Sequence, residues 1–481
     1  MAAPSTNANP PTAILHRTPW APPVAKNANG IYIDLEDGRR VIDAVGGAAV
    51  VCIGNSHPKV MQAIKDQVDK VSYVYNMQLS NQPAEELAKN LIANSNGAFD
   101  LCGFTSGGTE AMESVLKLAI QYYAEVGQPK RINFIARQLS YHGNSLATLS
   151  LAYHPTRRSL YVEHLDSKHF HHVSPAYAKR FQKSDETEEQ YVERLRQELE
   201  DKFIALGPDT VIGFVAETVV GATTGVLAAP KGYFKAMKSV CDKYGALFIL
   251  DEASPFINAY TKTHMSFLTQ IMCGMGRMGS LHAWETLGDG AAPDIQAVAK
   301  GLGGGYATIG AILLSKKVAD GIRDGSGFWK HGHTYQGQPI ACAAALAVQK
   351  VIESENLLEN IRVQGAYLES LLQKGLQGPN AFAAPYTFDI RGAGGFWGVE
   401  FDFTEAPSLD FKGNPFAMRV QARALEHDVI VMGMTGGANL EGTKGDHIIL
   451  APAYNVRKEE VEKIAAVFVQ SVEEILRESA L

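Results

Sequence analysis

The chain has 481 residues, 46% of them hydrophobic and 20% charged, with a formal net charge of −7. This length exceeds a single typical core, so two or three domains are expected, and the composition is that of a globular protein with a large core. The interspersed charges argue against a nucleic-acid partner and give no support to membrane-surface binding, and no segment approaches the roughly 20 uninterrupted apolar residues of a membrane span.

The N-terminus, Met1-Ala-Ala-Pro-Ser-Thr-Asn-Ala-Asn-Pro10, has no basic start before an apolar stretch and no presequence arginines. A cytoplasmic protein is therefore expected. Cys52, Cys102, Cys241, Cys273 and Cys342 are scattered without a CxxC pair. They suit reduced thiols, not a disulfide frame or a zinc knuckle.

Residues 1–25 are rich in Pro, Ala and Asn and read as an extended arm, which in an oligomer can lie on a neighbour. Ile31–Asp34, the turn Asp37-Gly38 and Arg40–Asp43 predict a β-hairpin. Val60, Ile64 and Val68 have helical spacing within 58–71. Ile132–Ile135, Val211–Val215, Leu247–Leu250 and Ile309–Leu314 are short apolar runs bounded by turns. Helical patterns over 188–205 and 233–244 fall between them. Buried strands interleaved with helices predict an α/β fold with a mostly parallel sheet. A long alanine-rich helix over 341–353 leads into an α+β C-terminal part. The expected division is 1–75 as arm and part of a small domain, 76–340 as the large domain, and 341–481 as the rest of the small domain.

Several segments can carry chemistry, and each also has an ordinary structural use. Phe104-Thr-Ser-Gly-Gly-Thr109-Glu-Ala opens a helix. Exposed amides and a hydroxyl there suit a phosphate, but Ser106 or Thr109 could equally cap the helix, with Glu110 or Glu113 in its first turn. Tyr141-His-Gly143 offers an aromatic that could stack on a flat ring or simply pack in the core. Glu217 and Asp251 each close an apolar strand, at the sheet edge where α/β folds bind ligands. Gly332-His-Thr334-Tyr-Gln-Gly337 offers another hydroxyl beside glycine. His164, His169, His171 and His172 lack a matched second pair of ligands, so no metal site is expected. Gly274-Met-Gly-Arg-Met-Gly279 matches a dinucleotide fingerprint but does not closely follow a strand.

The most informative segment is Asp294-Ile-Gln-Ala-Val-Ala-Lys300-Gly-Leu-Gly-Gly-Gly305. An apolar run delivers one lysine, and glycines follow at once. Poor solvation favours the free amine, which can attack a carbonyl. Glycines let backbone approach a bulky planar partner.

In order and spacing these motifs resemble the class III aminotransferases, the ω-amino-acid group of fold-type-I pyridoxal-phosphate enzymes. The resemblance extends from about Gly30 to Val456 and includes Gly54-Asn-Ser-His-Pro58 and Gly442-Thr-Lys-Gly-Asp446. It implies a ping-pong transfer of an amino group from an amine or ω-amino acid to a 2-oxo acid, aldehyde or ketone. Lys300 would hold pyridoxal 5'-phosphate as an internal aldimine and shuttle the proton. Asp251 would pair with the pyridine nitrogen, Tyr141 would stack on the ring, and Glu217 would sit beside it. Gly108 and Thr109 would hold the phosphate, with Thr334 reaching it from the second subunit of a homodimer or dimer of dimers. Within the same cofactor chemistry, an aminomutase and a decarboxylating aminotransferase remain alternatives.

The chain departs from the family pattern in three places. Residues 253–270 intervene between Asp251-Glu252 and the Ile271-Met-Cys-Gly-Met-Gly-Arg segment that normally follows almost directly. Ile271 is the residue that would cover the cofactor face opposite Tyr141. The insert is a whole number of codons and lacks clear helix, strand or turn logic. A retained intron giving an inactive product is therefore weighed against a genuine loop. Second, many relatives hold a substrate carboxylate with a C-terminal arginine, and 432–446 contains none, only Lys444. Third, some relatives place a glutamate where this chain has Ala222. The last two gaps weaken an ornithine- or aminobutyrate-type substrate.

Overall fold

The computed structural model describes residues 12–18, 20–252, 275–279, 282–286, 288 and 290–480. The 253–270 segment, Ile271 and Gly274 lie outside the described residues.

A seven-stranded sheet forms the centre. Its order is Leu101–Thr105, Gly310–Leu314, Ile295–Val298, Leu247–Asp251, Val211–Glu217, Asn133–Arg137, Phe170–Val173. Gly310–Leu314 runs antiparallel to both neighbours, and the other pairings are parallel. Both faces of this sheet are covered, and the strand Leu247–Asp251 shows how. Leu247 and Ile249 enter a core with Ala111, Val115 and Leu118 of the helix Gly108–Glu125. Phe248 and Leu250 enter the opposite core with Leu195 and Phe203 of the helix Glu188–Leu206 and Phe234 and Met237 of Tyr233–Tyr244. Successive side chains point to opposite faces, so a strand covered on both sides reads as one apolar run.

Three smaller sheets accompany it among the described residues, one of them only the short pair Val219–Val220 with Leu227–Ala228. Thr387–Ala393, Phe396–Phe401, Asp446–Leu450 and Met432–Thr435 form an antiparallel sheet. The N-terminal hairpin, Tyr32–Leu35 with Arg40–Asp43, turns at Gly38 with φ +91°, a conformation that favours glycine. Its second strand pairs in parallel with Val429–Ile430, Ile42 standing opposite Val429. Ile31 and Ile42 share one core with Phe401, Val420, Ile464 and Phe468.

One helix differs from its predicted extent. The pattern over 58–71 yields a helix Pro58–Val68. Val68 is 52% exposed, while Gln67 is buried and its Nε2 donates to the Val71 carbonyl at 2.8 Å. The buried stripe therefore runs from Val60 to Gln67, and a side-chain bond to backbone closes the turn where the helix was expected to continue. Among the described residues no helix is long and apolar enough to cross a membrane.

Candidate active site

The C-terminal ends of the parallel strands gather the polar residues singled out above. Asp251 is opposite Glu217 on one side and opposite Ala297 on the other. Ala297 and Val298 are buried, and the chain then turns at Lys300 with φ +47°. Non-glycine residues seldom adopt this left-handed conformation, and such strain gathers at functional sites. The Lys300 carbonyl accepts from the amides of Gly303 and Gly304 at 3.1 and 3.0 Å, which holds the lysine in a tight turn.

The helix Gly108–Glu125 starts at the same edge, after the strand Leu101–Thr105. Gly107, extended at φ 177°, is its N-cap, and no side chain caps it. Neither Ser106 nor Thr109 caps the helix, and Thr109 Oγ1 accepts from the amide of Asn144 at 3.3 Å. This bond fastens the helix start to the loop that carries Tyr141. A Cβ on Gly108 would lie 3.5 Å from Cβ of Ala299, so the helix start also abuts the segment entering Lys300. The helix therefore leaves first-turn amides without side-chain partners, and these suit an anion.

Glu217 is buried, and burial raises its carboxyl above the ordinary value. It accepts the Tyr141 amide at 2.9 Å and thereby fixes the Tyr141 loop. Arg137, fully buried, donates to the Glu217 carbonyl and lies over the rings of Tyr233 and Phe234 at 5.6 and 5.8 Å. Glu252, next after Asp251, accepts from the Ala283 amide at 3.0 Å, from Gln296 Nε2 at 3.1 Å and from the Thr218 hydroxyl. Burial pushes its carboxyl up to about 8. The side chain bonds inward, away from the sheet edge.

His142 is a residue that sequence reasoning did not assign. Its Nδ1 lies 3.0 Å from Asp251 Oδ2, and its side chain is fully buried. No local signal marks it beyond its place beside Tyr141, because its partner comes from a strand far along the chain.

Gly108, Thr109, Tyr141, Glu217, Asp251 and Lys300 thus meet at one edge. Thr334 is exposed elsewhere, its carbonyl accepting from the Tyr73 hydroxyl at 3.0 Å. The histidines go separate ways: His169 pairs with Asp166, His171 with Asn133 and His172 with the Leu151 carbonyl. Within the glycine-rich 274–279 segment, Arg277 is buried and donates to the carbonyls of Gly395 and Ala451 at 3.3 and 2.9 Å. It ties that turn to the C-terminal part.

A doubly covered, mostly parallel sheet whose strand ends present a carboxylate and a lysine is the architecture of the fold-type-I enzymes. The class-III aminotransferase model matches residues 16–472, so this chain belongs to the class-III aminotransferase family. It is 43% identical over 445 residues to an aminotransferase of Gibberella zeae, covering 92% of this chain and 82% of that one. It is 32% identical to gamma aminobutyrate transaminase 3, chloroplastic, of Solanum lycopersicum, covering 95% of this chain and 81% of that one. The omega transaminase from Pseudomonas jessenii in complex with PMP superposes with a TM-score of 0.83 at 30% identity, covering 95% of this chain and 94% of that one. The chain is accordingly a transaminase, and its cofactor is pyridoxal 5'-phosphate.

Proposed function

We propose that this sheet edge is the transaminase active site and that Lys300 attaches the cofactor. The carrying observation is the register: Asp251 stands opposite Ala297, three residues before Lys300, and opposite Glu217 on its other side. The residues present fit the cofactor. An uncapped helix start with Gly107 and Gly108 leaves backbone donors and no Cβ in the way of a phosphate. When bound, the cofactor supplies an electron sink for breaking the substrate C–H bond.

The remaining work falls to the protein. Lys300 Nζ moves the proton off the substrate carbon that bears nitrogen. Asp251 keeps a proton on the ring nitrogen, because a carboxylate favours a neighbouring cation. His142 orients Asp251. Tyr141 packs against the ring, and Glu217 holds Tyr141 through its amide. Gly108 and Thr109 hold the phosphate. The amino group passes from an amine or ω-amino acid to a 2-oxo acid, aldehyde or ketone in two half-reactions, a range in keeping with the omega and gamma-aminobutyrate transaminases among the similar proteins.

The active unit in this proposal is a homodimer. Thr334 lies beside exposed Tyr73 and Tyr335, whose rings meet edge-on 5.8 Å apart, and Tyr75, Met77 and Leu79, which follow Tyr73 in the chain, are exposed too. A patch of this kind marks a protein interface, and across it Thr334 reaches the phosphate of the second subunit. Cys52, Cys102, Cys241 and Cys342 are unpaired, in keeping with a reducing, cytoplasmic setting. A small domain from 1–75 and 341–481 is supported by the shared sheet and core of the two chain ends, with 76–340 as the large domain. The deciding experiment is borohydride reduction of the holoenzyme followed by peptide mapping. Label on Lys300 is expected; label on another lysine overturns the assignment.

A further inference from the structure

Two adjacent arginines end the short helix Pro155–Arg158, and they are used differently. Arg158 lies over the Tyr153 ring at 4.3 Å. Arg157 lies over the Tyr141 ring, 4.6 Å from its centroid. Tyr141 is the aromatic proposed above to pack against the cofactor ring, so this guanidinium contacts a wall of the proposed site. Among the described residues Arg157 has no carboxylate within 4.0 Å.

His154 meets Tyr141 edge-on at 6.3 Å, and burial pushes its imidazole down to about 3, so it stays neutral. His447 Nε2 pairs with the Ala222 carbonyl at 3.2 Å. Ala222 occupies the position where some relatives carry a glutamate, so no acid stands there to neutralise an arginine. Burial raises the Tyr141 phenol above its ordinary value; Arg157 and, after it, Arg17 oppose the shift, while Asp251 and Glu217 add to it.

No arginine occurs in 432–446, and Lys444 is exposed. This segment leans instead on the turn that carries Arg157: a Cβ on Gly442 would come within 2.6 Å of Cβ of Pro155. The two segments meet at one wall, and only the 155–158 side brings a guanidinium to Tyr141.

We propose that Arg157 is the anchor for the substrate carboxylate, so that this enzyme takes ω-amino acids and 2-oxo acids in preference to amines without a carboxylate. The proposal rests on the active site described above. A guanidinium binds carboxylate through paired N–H donors, and its stacking on Tyr141 holds the plane in place before substrate arrives.

The test compares two donors of equal chain length, 4-aminobutyrate and butylamine, in the first half-reaction of the holoenzyme, followed by cofactor absorbance with no acceptor present. Arg157→Met should lower the ratio of kcat/KM for 4-aminobutyrate to that for butylamine by about 10- to 100-fold, the usual effect of losing a charged hydrogen bond. Arg157→Lys should recover part of the loss. Equal losses on both donors, or no loss on either, overturn the proposal. Calorimetric titration with butyrate, which has no amine to transfer, supplies a readout independent of turnover. Wild type should bind it and Arg157→Met should bind about tenfold more weakly or worse; equal affinities overturn the proposal. If the wild-type holoenzyme converts neither donor, the proposed donor range fails, and the butyrate titration still decides Arg157.

Discussion

Nδ1 of His142 lies 3.0 Å from Oδ2 of Asp251, across 109 positions of sequence. The His142 side chain is fully buried, whereas the Asp251 side chain keeps 25% exposure, facing the site. A buried imidazole of this kind fixes the rotamer of a carboxylate whose outer oxygen stays available to a ligand. The loop after Arg137 thus delivers His142 to the acid, and in the proposed site it also brings Tyr141 to the cofactor ring.

Asp251→Asn should retain some cofactor but lose about 100-fold or more in turnover, since a neutral amide cannot hold the ring proton. His142→Ala should cost less, about 10- to 100-fold, by letting the carboxylate move from its productive geometry. Single-turnover rates of the two reconstituted variants check the order. A His142→Ala enzyme as fast as wild type would remove the positioning role.

Lys300→Ala should abolish covalent cofactor attachment and lower transamination by about 10⁴-fold, the upper range for a lost general base. Absorbance after reconstitution and a coupled pyruvate assay measure the two effects. Near-normal activity would place the proton transfer on another group.

Assembly can be tested by complementation. Mixing Lys300→Ala with a Thr334→Arg variant should regenerate activity in hybrid dimers, which hold one site with both native residues. Light scattering should show at least a dimer. An active monomer contradicts the shared site.

The pH dependence of stability should carry the mark of Glu252. Its folded value is about 8 against an ordinary 4.5, so the folded state holds the proton more tightly than the unfolded chain. Stability from this group is fully present below pH 4.5 and is lost as pH rises toward 8, at up to about 1.4 kcal/mol per unit. His447 acts in the opposite direction. Burial holds its imidazole down at about 4. Its contribution is intact above its unfolded value of about 6.5 and falls as pH drops toward 4. Glu252→Gln should flatten the alkaline limb of a melting-temperature profile, and His447→Gln the acid limb. Unchanged limbs would show that these groups titrate as in the unfolded chain.

Residues 253–270 can be judged by removal. Glu252 is bonded to Thr218, Ala283 and Gln296, so the chain entering the segment is anchored. Joining Glu252 to Ile271 should tighten cofactor binding, because displacing the ring cover by about 1 Å can cost on the order of 100-fold in rate. Cofactor dissociation constants of the two proteins decide the consequence, and the mature transcript decides the origin. Equal binding and activity, with the segment retained in the transcript, would identify a harmless loop.

The sequence by itself determined the local elements and the chemistry they carry. The run Leu247–Leu250 predicts a doubly covered strand because side chains alternate faces, and the strand Leu247–Asp251 does so. The lysine before a glycine run and the Gly107-Gly108 helix start were legible for the same reason: each is a property of neighbouring residues. The approach of Arg157 to Tyr141, the pairing of Ile42 with Val429 and the bond from His142 to Asp251 were decided by tertiary structure. Those contacts depend on strand order and on which loops end at the same edge, and no local period encodes either. Val68 shows the reverse limit, since its helical spacing was right and the burial it implied went to Gln67, where packing and a bond to Val71 closed the turn.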